Sequence, residues 1–384
     1  MTIDKKSFAV HADPARAETL PARAFTDPAV LERELETLFA TNWLLVPEPT
    51  GAEARADSRP WSERLRQRGA RAPLTLLEKP LFLQRGWRDD ALRLMPNVCT
   101  HAWYPLVAGA SRGERLVCAQ HGRQFDGAGR VLSQPGFKQF RACDRLTSFP
   151  MAEFGPLLFA CLGRPTRPFA KLSAPIVASL GRLPLDRLER RAQAGELREV
   201  DGNWKQHAWN YMDKFHVQFI HKAPGGLADA IDLAGYKTEL YDGVSLQWAY
   251  AKNPAAGFDP ALLPDRFRDP AGRRVFALWW FVFPGLTLNF YPWGLSVNLY
   301  EPVPGKPEKT LFRWFAYSWN DALFARRDEL WLSEQVDAED VEAMAQVRRG
   351  ARSGLAPRGR FSPAEESGPH WFHRAVSLAI TKGT

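Results

Sequence analysis

The chain has 384 residues, 45% of them hydrophobic and 24% charged, with only 4 cysteines. That composition excludes a largely disordered chain, a collagen-like repeat and a disulfide-built scaffold, and the length amounts to two or three domains. The net charge is +8, but the arginines are scattered; of their denser stretches, 55–71 is interleaved with the acids Asp57 and Glu63, while 348–360 has none. The charge therefore argues against nucleic acid as a partner, and for a solvated surface or a docking face for an acidic protein.

The first twenty residues lack the apolar segment of a signal peptide. No run approaches the roughly 18 to 20 apolar residues that a membrane span needs. A cytoplasmic protein without a membrane partner is expected, and in that setting cysteines close to histidines favour metal over disulfide.

Residues 27–41, DPAVLERELETLFAT, place Val30, Leu31, Leu35, Leu38 and Phe39 on one helical stripe, with Asp27 and Pro28 as cap and first turn. Asn42 to Val46 follows as a first strand. From Leu74 to Leu162, short apolar runs alternate with Gly, Pro, Asn and Asp, the pattern of a small antiparallel β domain. Residues 163–200 are rich in Pro, Arg and Leu and are predicted to contain a linker. Beyond them come a helix over Trp204–His221, several long aromatic strands, a polar helix from about Asp321 to Ala351, and a last helix from about Pro363 to Ile380. Strands packed against a long helix make the second half an α+β domain.

Within the β domain stand Cys99 and His101, then Cys118 and His121, as C-x-H and C-x-x-H. Two thiolates and two imidazoles suit a tetrahedral zinc or a [2Fe–2S] cluster. The C-x-H arm is unusual for zinc fingers, where C-x-x-C comes first. It matches a Rieske centre, where two cysteines hold one iron and two histidines the other. Cys143 and Cys161 have no histidine nearby and are read as small packing residues.

The segment NWKQHAWNYMDKFHVQFIH contains Asp213, His216 and His221 as D-x-x-H-x-x-x-x-H. Two imidazoles and a carboxylate make the facial triad of non-haem Fe(II) enzymes. Residues five apart are about 140° out of register on a helix, so the two histidines can share a metal only where the helix bulges or ends. His207 reads as a polar residue on the helix face. A further carboxylate is sought in EQVDAEDVEAMAQVRRG, where Asp337 and Asp340 are the candidates.

The stretch CTHAWYPLVAGASRGERLVCAQHGRQFDGAGRVL resembles the Rieske domain of ring-hydroxylating oxygenase α subunits. One departure is Ala102-Trp103, where many members have Arg-Gly. The resemblance extends over nearly the whole chain, from LPARAFTDPAVLERELETLFATNWLLVPEP to RRGARSGLAPRGRFSPAEESGPHWFHRAV. FVFPGLTLNFYPWGLSVNLYEPVPG is similar to the pocket strands of the choline-monooxygenase-like and phenylpropionate-dioxygenase-like branches.

The resemblance implies an α+β fold: a small antiparallel β Rieske domain plus a helix-grip (START-like) catalytic domain, with a curved antiparallel sheet over a long helix. It divides the chain into 1–40, a segment packing with the catalytic domain; 41–163, the Rieske domain; and 164–384, the catalytic mononuclear iron domain. It implies that Cys99, His101, Cys118 and His121 hold the cluster, and that His216, His221 and Asp340 hold Fe(II), although Arg348 stands where the family usually has Gln. Asp213 then becomes a bridging carboxylate that links a Rieske histidine of one subunit to an iron-binding histidine of the next. Its simpler role is to orient His216.

The same resemblance implies O2 as co-substrate, electrons from NAD(P)H and flavin through a partner reductase and possibly a ferredoxin, and a homotrimer or multiple of trimers. A quaternary ammonium pocket and an arene pocket both suit the aromatic strands. No acidic residue is marked by the sequence as facing the cavity. The short α-only chain inclines the expectation toward a monooxygenase or demethylase of a small organic substrate, with ring hydroxylation of an aromatic as the alternative. A Rieske electron-transfer or ligand-binding protein with a vacant second site is the reading from another class.

Overall fold

The computed structural model describes residues 4–382. The chain forms two compact units. One comprises Ala40–Pro49 and Ala56–Thr166; the other comprises the N-terminal segment to Phe39, Thr50–Arg55, and the chain from Arg167 onward.

The smaller unit is built from three antiparallel sheets. The largest pairs Ala70–Leu76 with Lys79–Arg85, and Lys79–Arg85 with Leu92–Pro96. A second, Leu116–Val117, Gln124–Phe125 and Val131–Ser133, forms the hairpin that carries the second Cys/His arm. Phe82, Met95, Leu106, Val107, Phe125 and Leu146 make its buried core together with Cys99 and Cys118.

The larger unit is organised on one seven-stranded antiparallel sheet. Its strands are β1 (Glu189–Asp201), β2 (Lys237–Leu240), β3 (Val244–Tyr250), β4 (Val275–Val282), β5 (Leu286–Tyr291), β6 (Gly294–Val303) and β7 (Lys306–Ser318), in the order β1-β7-β6-β5-β4-β3-β2. Strands β2 to β7 follow one another as a meander, and β1 closes on β7. Every residue of β3, β4 and β5 is buried, so both faces of the central sheet are covered. The predicted linker thus holds ordered structure, the helix Phe169–Leu180 and most of β1.

Four helices matter for the site: α1 (Trp204–Met212), α2 (Val217–Ile220), α3 (Ser333–Ser353) and α4 (Ser367–Ile380). Helix α1 packs on β6 and β7, and α3 and α4 pack on α1. Asn203 caps α1 by accepting from Lys205 N, and Gln206 returns the bond to Asn203 N, a capping box. The N-terminal segment is tied to α1 by a fully buried ion pair, Lys205 Nζ to Glu34 Oε1 at 2.7 Å. Glu34 also accepts from the Trp204 indole at 2.9 Å. Asp27 caps the helix Pro28–Glu34 as the sequence predicts, accepting from Ala29 N at 2.9 Å.

Two predicted helices are broken. The one over Trp204–His221 ends at Asp213, whose backbone turns extended (φ −91°, ψ 99°), and restarts as α2. The polar helix is three pieces, Asp321–Phe324, Arg327–Trp331 and α3, with Leu332 in the left-handed region at φ 56° between the last two. No described helix is long and apolar enough to cross a membrane.

Candidate functional site

The break at Asp213 creates the first centre. Helix α2 is a single turn with His216 at its N-cap and His221 at its C-cap. The five-residue spacing that would splay the rings on a continuous helix instead brings them to 5.1 Å between centroids, with Nε2 to Nε2 at 3.2 Å. Asp340, from the second turn of α3, points Oδ1 at both: 3.5 Å from His216 Nε2 and 3.2 Å from His221 Nε2.

Among the described residues, His216, His221 and Asp340 form the one cluster whose donor atoms converge for a metal ion. Asp340 Oδ1 is buried and makes no hydrogen bond. Three lone-pair atoms aimed at a common point fit a divalent ion of the non-haem iron type. Asp337, the other candidate, is drawn away into an ion pair with Arg198. His207 is outside the cluster too. It is buried, stacks on Tyr300 at 5.6 Å, and lies 3.1 Å from the Asp201 carbonyl. Arg348 pairs with Asp201 and Glu308.

Each imidazole has a carboxylate behind it. Glu339 Oε2 lies 2.6 Å from His221 Nδ1, and Asp213 Oδ2 lies 3.5 Å from His216 Nδ1. Glu339 was not singled out from sequence. Its signal was adjacency to Asp340, combined with the rule that a metal-binding histidine donates its other N–H to a carboxylate or carbonyl.

The electrostatics follow. Burial pulls His216 down, but Asp213 and Asp340 outweigh it and carry the ring up to about 9. Burial pushes Asp340 up, yet the two imidazoles hold it well below the usual carboxylate range. A metal ion bound here displaces protons from the histidines.

This cluster lines a cavity of about 630 Å³. Trp279 and Tyr291, two of the strand aromatics, line it, joined by Tyr236, Phe276, Trp314 and Trp331. Trp248, Tyr250, Trp280, Phe281 and Phe290, also on these strands, are buried in the sheet. Glu196, Glu334 and Asp337 also line the cavity, acids that the sequence did not mark as facing it.

The second centre lies in the smaller unit. Cys99 and Cys118 are buried side by side, their thiols within hydrogen-bonding reach of each other. Burial, opposed by the His101 backbone N–H, pushes Cys99 up. His101 and His121 are exposed, with rings 4.6 Å apart.

The two arms share one backbone design. Cys99 N donates to the Tyr104 carbonyl and Trp103 N to the Cys99 carbonyl; likewise Cys118 N donates to Arg123 and Gly122 N to Cys118. The fourth residue after each cysteine is left-handed, Trp103 at φ 60° and Gly122 at φ 72°. Trp103 therefore occupies a slot that favours glycine. Paired buried thiols beside paired exposed imidazoles fit a Rieske cluster. Cys161 is buried as expected, but Cys143 is exposed and is not a packing residue.

The comparisons agree with this geometry. Residues 185–381 match the ring hydroxylating alpha subunit (catalytic domain) family, and residues 61–150 match the Rieske [2Fe-2S] domain. The chain belongs to the ring-hydroxylating α-subunit family. It is an oxidoreductase of the Rieske non-haem iron oxygenase class, and the family implies both a Rieske cluster and a mononuclear iron.

Among curated relatives, choline monooxygenase of Arabidopsis thaliana is 27% identical over 93% of this chain and 82% of its own length. The carnitine monooxygenase oxygenase subunit of Escherichia coli is 24% identical over 95% of each chain. Among solved structures, a quaternary ammonium Rieske monooxygenase aligns with a TM-score of 0.75 at 21% identity, over 99% of both chains. A naphthalene 1,2-dioxygenase variant bound to phenanthrene aligns with 0.70 at 17%, over 96% of this chain and 93% of its own. These likenesses show the shared two-domain α+β fold.

Proposed function

We propose that this chain is the oxygenase subunit of a multicomponent system that hydroxylates or oxidatively demethylates a methylated ammonium cation. One observation carries the choice of substrate. The cavity beside His216, His221 and Asp340 combines the aromatic walls of Trp279, Tyr291, Tyr236 and Trp331 with the carboxylates of Glu196, Glu334 and Asp337, which outnumber the single arginine, Arg198, that two of them share. A quaternary ammonium group has no donor hydrogen, so aromatic faces and negative charge are what recognise it. A neutral arene needs the aromatic walls but gains nothing from the carboxylates.

In this proposal Cys99 and Cys118 hold one iron of the cluster, His101 and His121 hold the other, and His216, His221 and Asp340 hold Fe(II). When bound, the cluster supplies single electrons and the mononuclear iron supplies O2 activation beside the substrate. The protein's own groups set the stage. Glu339 accepts the Nδ1–H of His221 and so presents Nε2 to the metal side; Asp213 does the same, more loosely, for His216. The aromatic walls exclude water and seat the cation.

Asp213 is also assigned the electron route toward a cluster histidine of a neighbouring subunit, which calls for a closed ring such as a homotrimer. The Escherichia coli relative is named an oxygenase subunit, which supports a separate electron donor. A flavin reductase using NAD(P)H, with or without a ferredoxin, is assigned that part, in the cytoplasm.

The test is O2 uptake by the iron-loaded protein with a surrogate reductase, comparing methylated ammonium cations with aromatic acids and arenes. Product formed from an ammonium cation supports the proposal. Uptake coupled only to an arene makes the protein a ring hydroxylase instead.

A further inference from the structure

One row of residues crosses the sheet under the cavity. Gln247 on β3 pairs with Trp279 on β4, Trp279 with Asn289 on β5, and Asn289 with Ser296 on β6. Directly opposed residues in antiparallel strands share a face, and all four line the cavity.

Three of the four have no buried side-chain polar atom left without a partner. The Trp279 indole donates to the Tyr291 hydroxyl at 3.1 Å. Asn289 accepts from the Tyr211 hydroxyl at 2.6 Å and donates to Thr287 Oγ1 at 3.3 Å. Ser296 Oγ accepts from the Trp314 indole at 2.8 Å. Gln247 differs. Its Nε2 donates to the Tyr211 carbonyl at 2.9 Å, which fixes the orientation of the amide. Its Oε1 then has no partner, on a side chain that is 1% exposed. A buried acceptor left without a donor is unfavourable, and a ligand that brings the donor removes that penalty.

Beside Gln247 a carboxylate meets the opposite situation. Arg198, its basic lining residue, is already ion-paired with Asp337 and lies 3.4 Å from Glu196. An acceptor such as Gln247 Oε1 gives a carboxylate nothing to bond.

We infer that Gln247 is a specificity-determining residue. Its free carbonyl oxygen accepts a hydrogen bond from the substrate, so the site selects a methylated ammonium cation bearing a hydroxyl or N–H group over one bearing a carboxylate or no polar group. The selection rests on the ammonium-oxidising function proposed above. It adds a chemical distinction that the aromatic walls cannot make, because those read only the cationic head.

The experiment uses the iron-loaded full chain with a surrogate reductase, following O2 uptake and product by mass spectrometry. Three probes share one head group: 2-hydroxyethyl-trimethylammonium, the isosteric propyl-trimethylammonium, and carboxymethyl-trimethylammonium. The expected kcat/KM for the alcohol exceeds that for each of the other two by at least about tenfold. In Gln247→Met, which keeps the volume and loses the acceptor, the alcohol-to-propyl ratio falls toward unity.

Equal kcat/KM for alcohol and propyl compound in the wild type, a preference for the carboxylate, or an unchanged ratio in Gln247→Met overturns the inference. Should that variant not fold, the wild-type ratios decide alone. Turnover of all three cations without discrimination sinks the role of Gln247 and leaves the proposed function standing. Turnover of arenes and of no ammonium cation sinks both.

Discussion

Glu339 holds His221 by a 2.6 Å hydrogen bond to Nδ1, on the side of the ring away from the Nε2 that faces Asp340. Glu339 and Asp340 are neighbours on α3, so one helix supplies both a candidate metal ligand and the group that orients another. Replacing Glu339 with Ala frees the His221 ring to rotate. Affinity for the mononuclear iron should drop by about 10- to 100-fold, with the cluster absorption unchanged. Chelator titration of the two proteins reads this directly; equal iron retention would show that Glu339 does not orient the histidine.

Asp213 stands behind His216 at 3.5 Å, a looser contact than that of Glu339. It also sets the break between α1 and α2, because its Oδ1 accepts from Phe215 N at 2.8 Å. Asparagine keeps that acceptor and removes the charge. Asp213→Asn should therefore retain both metal centres while turnover falls by about 10- to 100-fold. Full activity in this variant would refute the bridging role.

Trp103 sits in the left-handed slot that Gly122 fills in the other cluster arm, and it is 82% exposed. Its side chain thus contributes little buried area to set against a backbone cost of about 1–2 kcal/mol. Trp103→Gly should raise the stability of the smaller unit by up to about 1 kcal/mol, seen as a higher melting temperature by cluster absorption. A lower melting temperature would mean that the indole has a partner in the assembled protein.

His373 gives the fold a pH dependence. It is fully buried on α4, its Nδ1 accepts from Leu20 N at 3.0 Å, and its ring packs against Trp209 at 4.5 Å. Burial, reinforced by the Lys205 charge, pushes it down to about 3. The folded protein keeps this histidine neutral while the unfolded chain takes up a proton below about 6.5. Its contribution is complete above that pH and is lost as pH falls from about 6.5 toward 3, by about 1.4 kcal/mol per unit. Urea unfolding at pH 7 and pH 5 should differ by about 2 kcal/mol from this residue, and His373→Gln should flatten that slope.

The sequence showed the donor atoms more clearly than their surroundings. Cys99, His101, Cys118 and His121 carry their pairing in their spacing, because each short arm is a loop tip. His216 and His221 carried a conflict: a five-residue interval that a helix cannot reconcile. The structure resolves it by ending α1 at Asp213. The cavity was not readable. Gln247, Trp279, Asn289 and Ser296 meet only through the registers of four strands, and the acids Glu196 and Glu334 come from opposite ends of the catalytic unit's sequence. Period-two alternation says that a strand has two faces but not which one meets the metal.

The central claim is that one chain carries two separate iron centres on these residues. Iron and acid-labile sulfide counted in the wild type and in His216→Ala test it most directly. The account predicts about three irons and about two sulfides per wild-type chain, and about two of each in the variant with an unchanged Rieske spectrum. About two irons and two sulfides in the wild type under iron-replete conditions, or loss of the cluster together with the mononuclear iron in a folded His216→Ala protein, would contradict it.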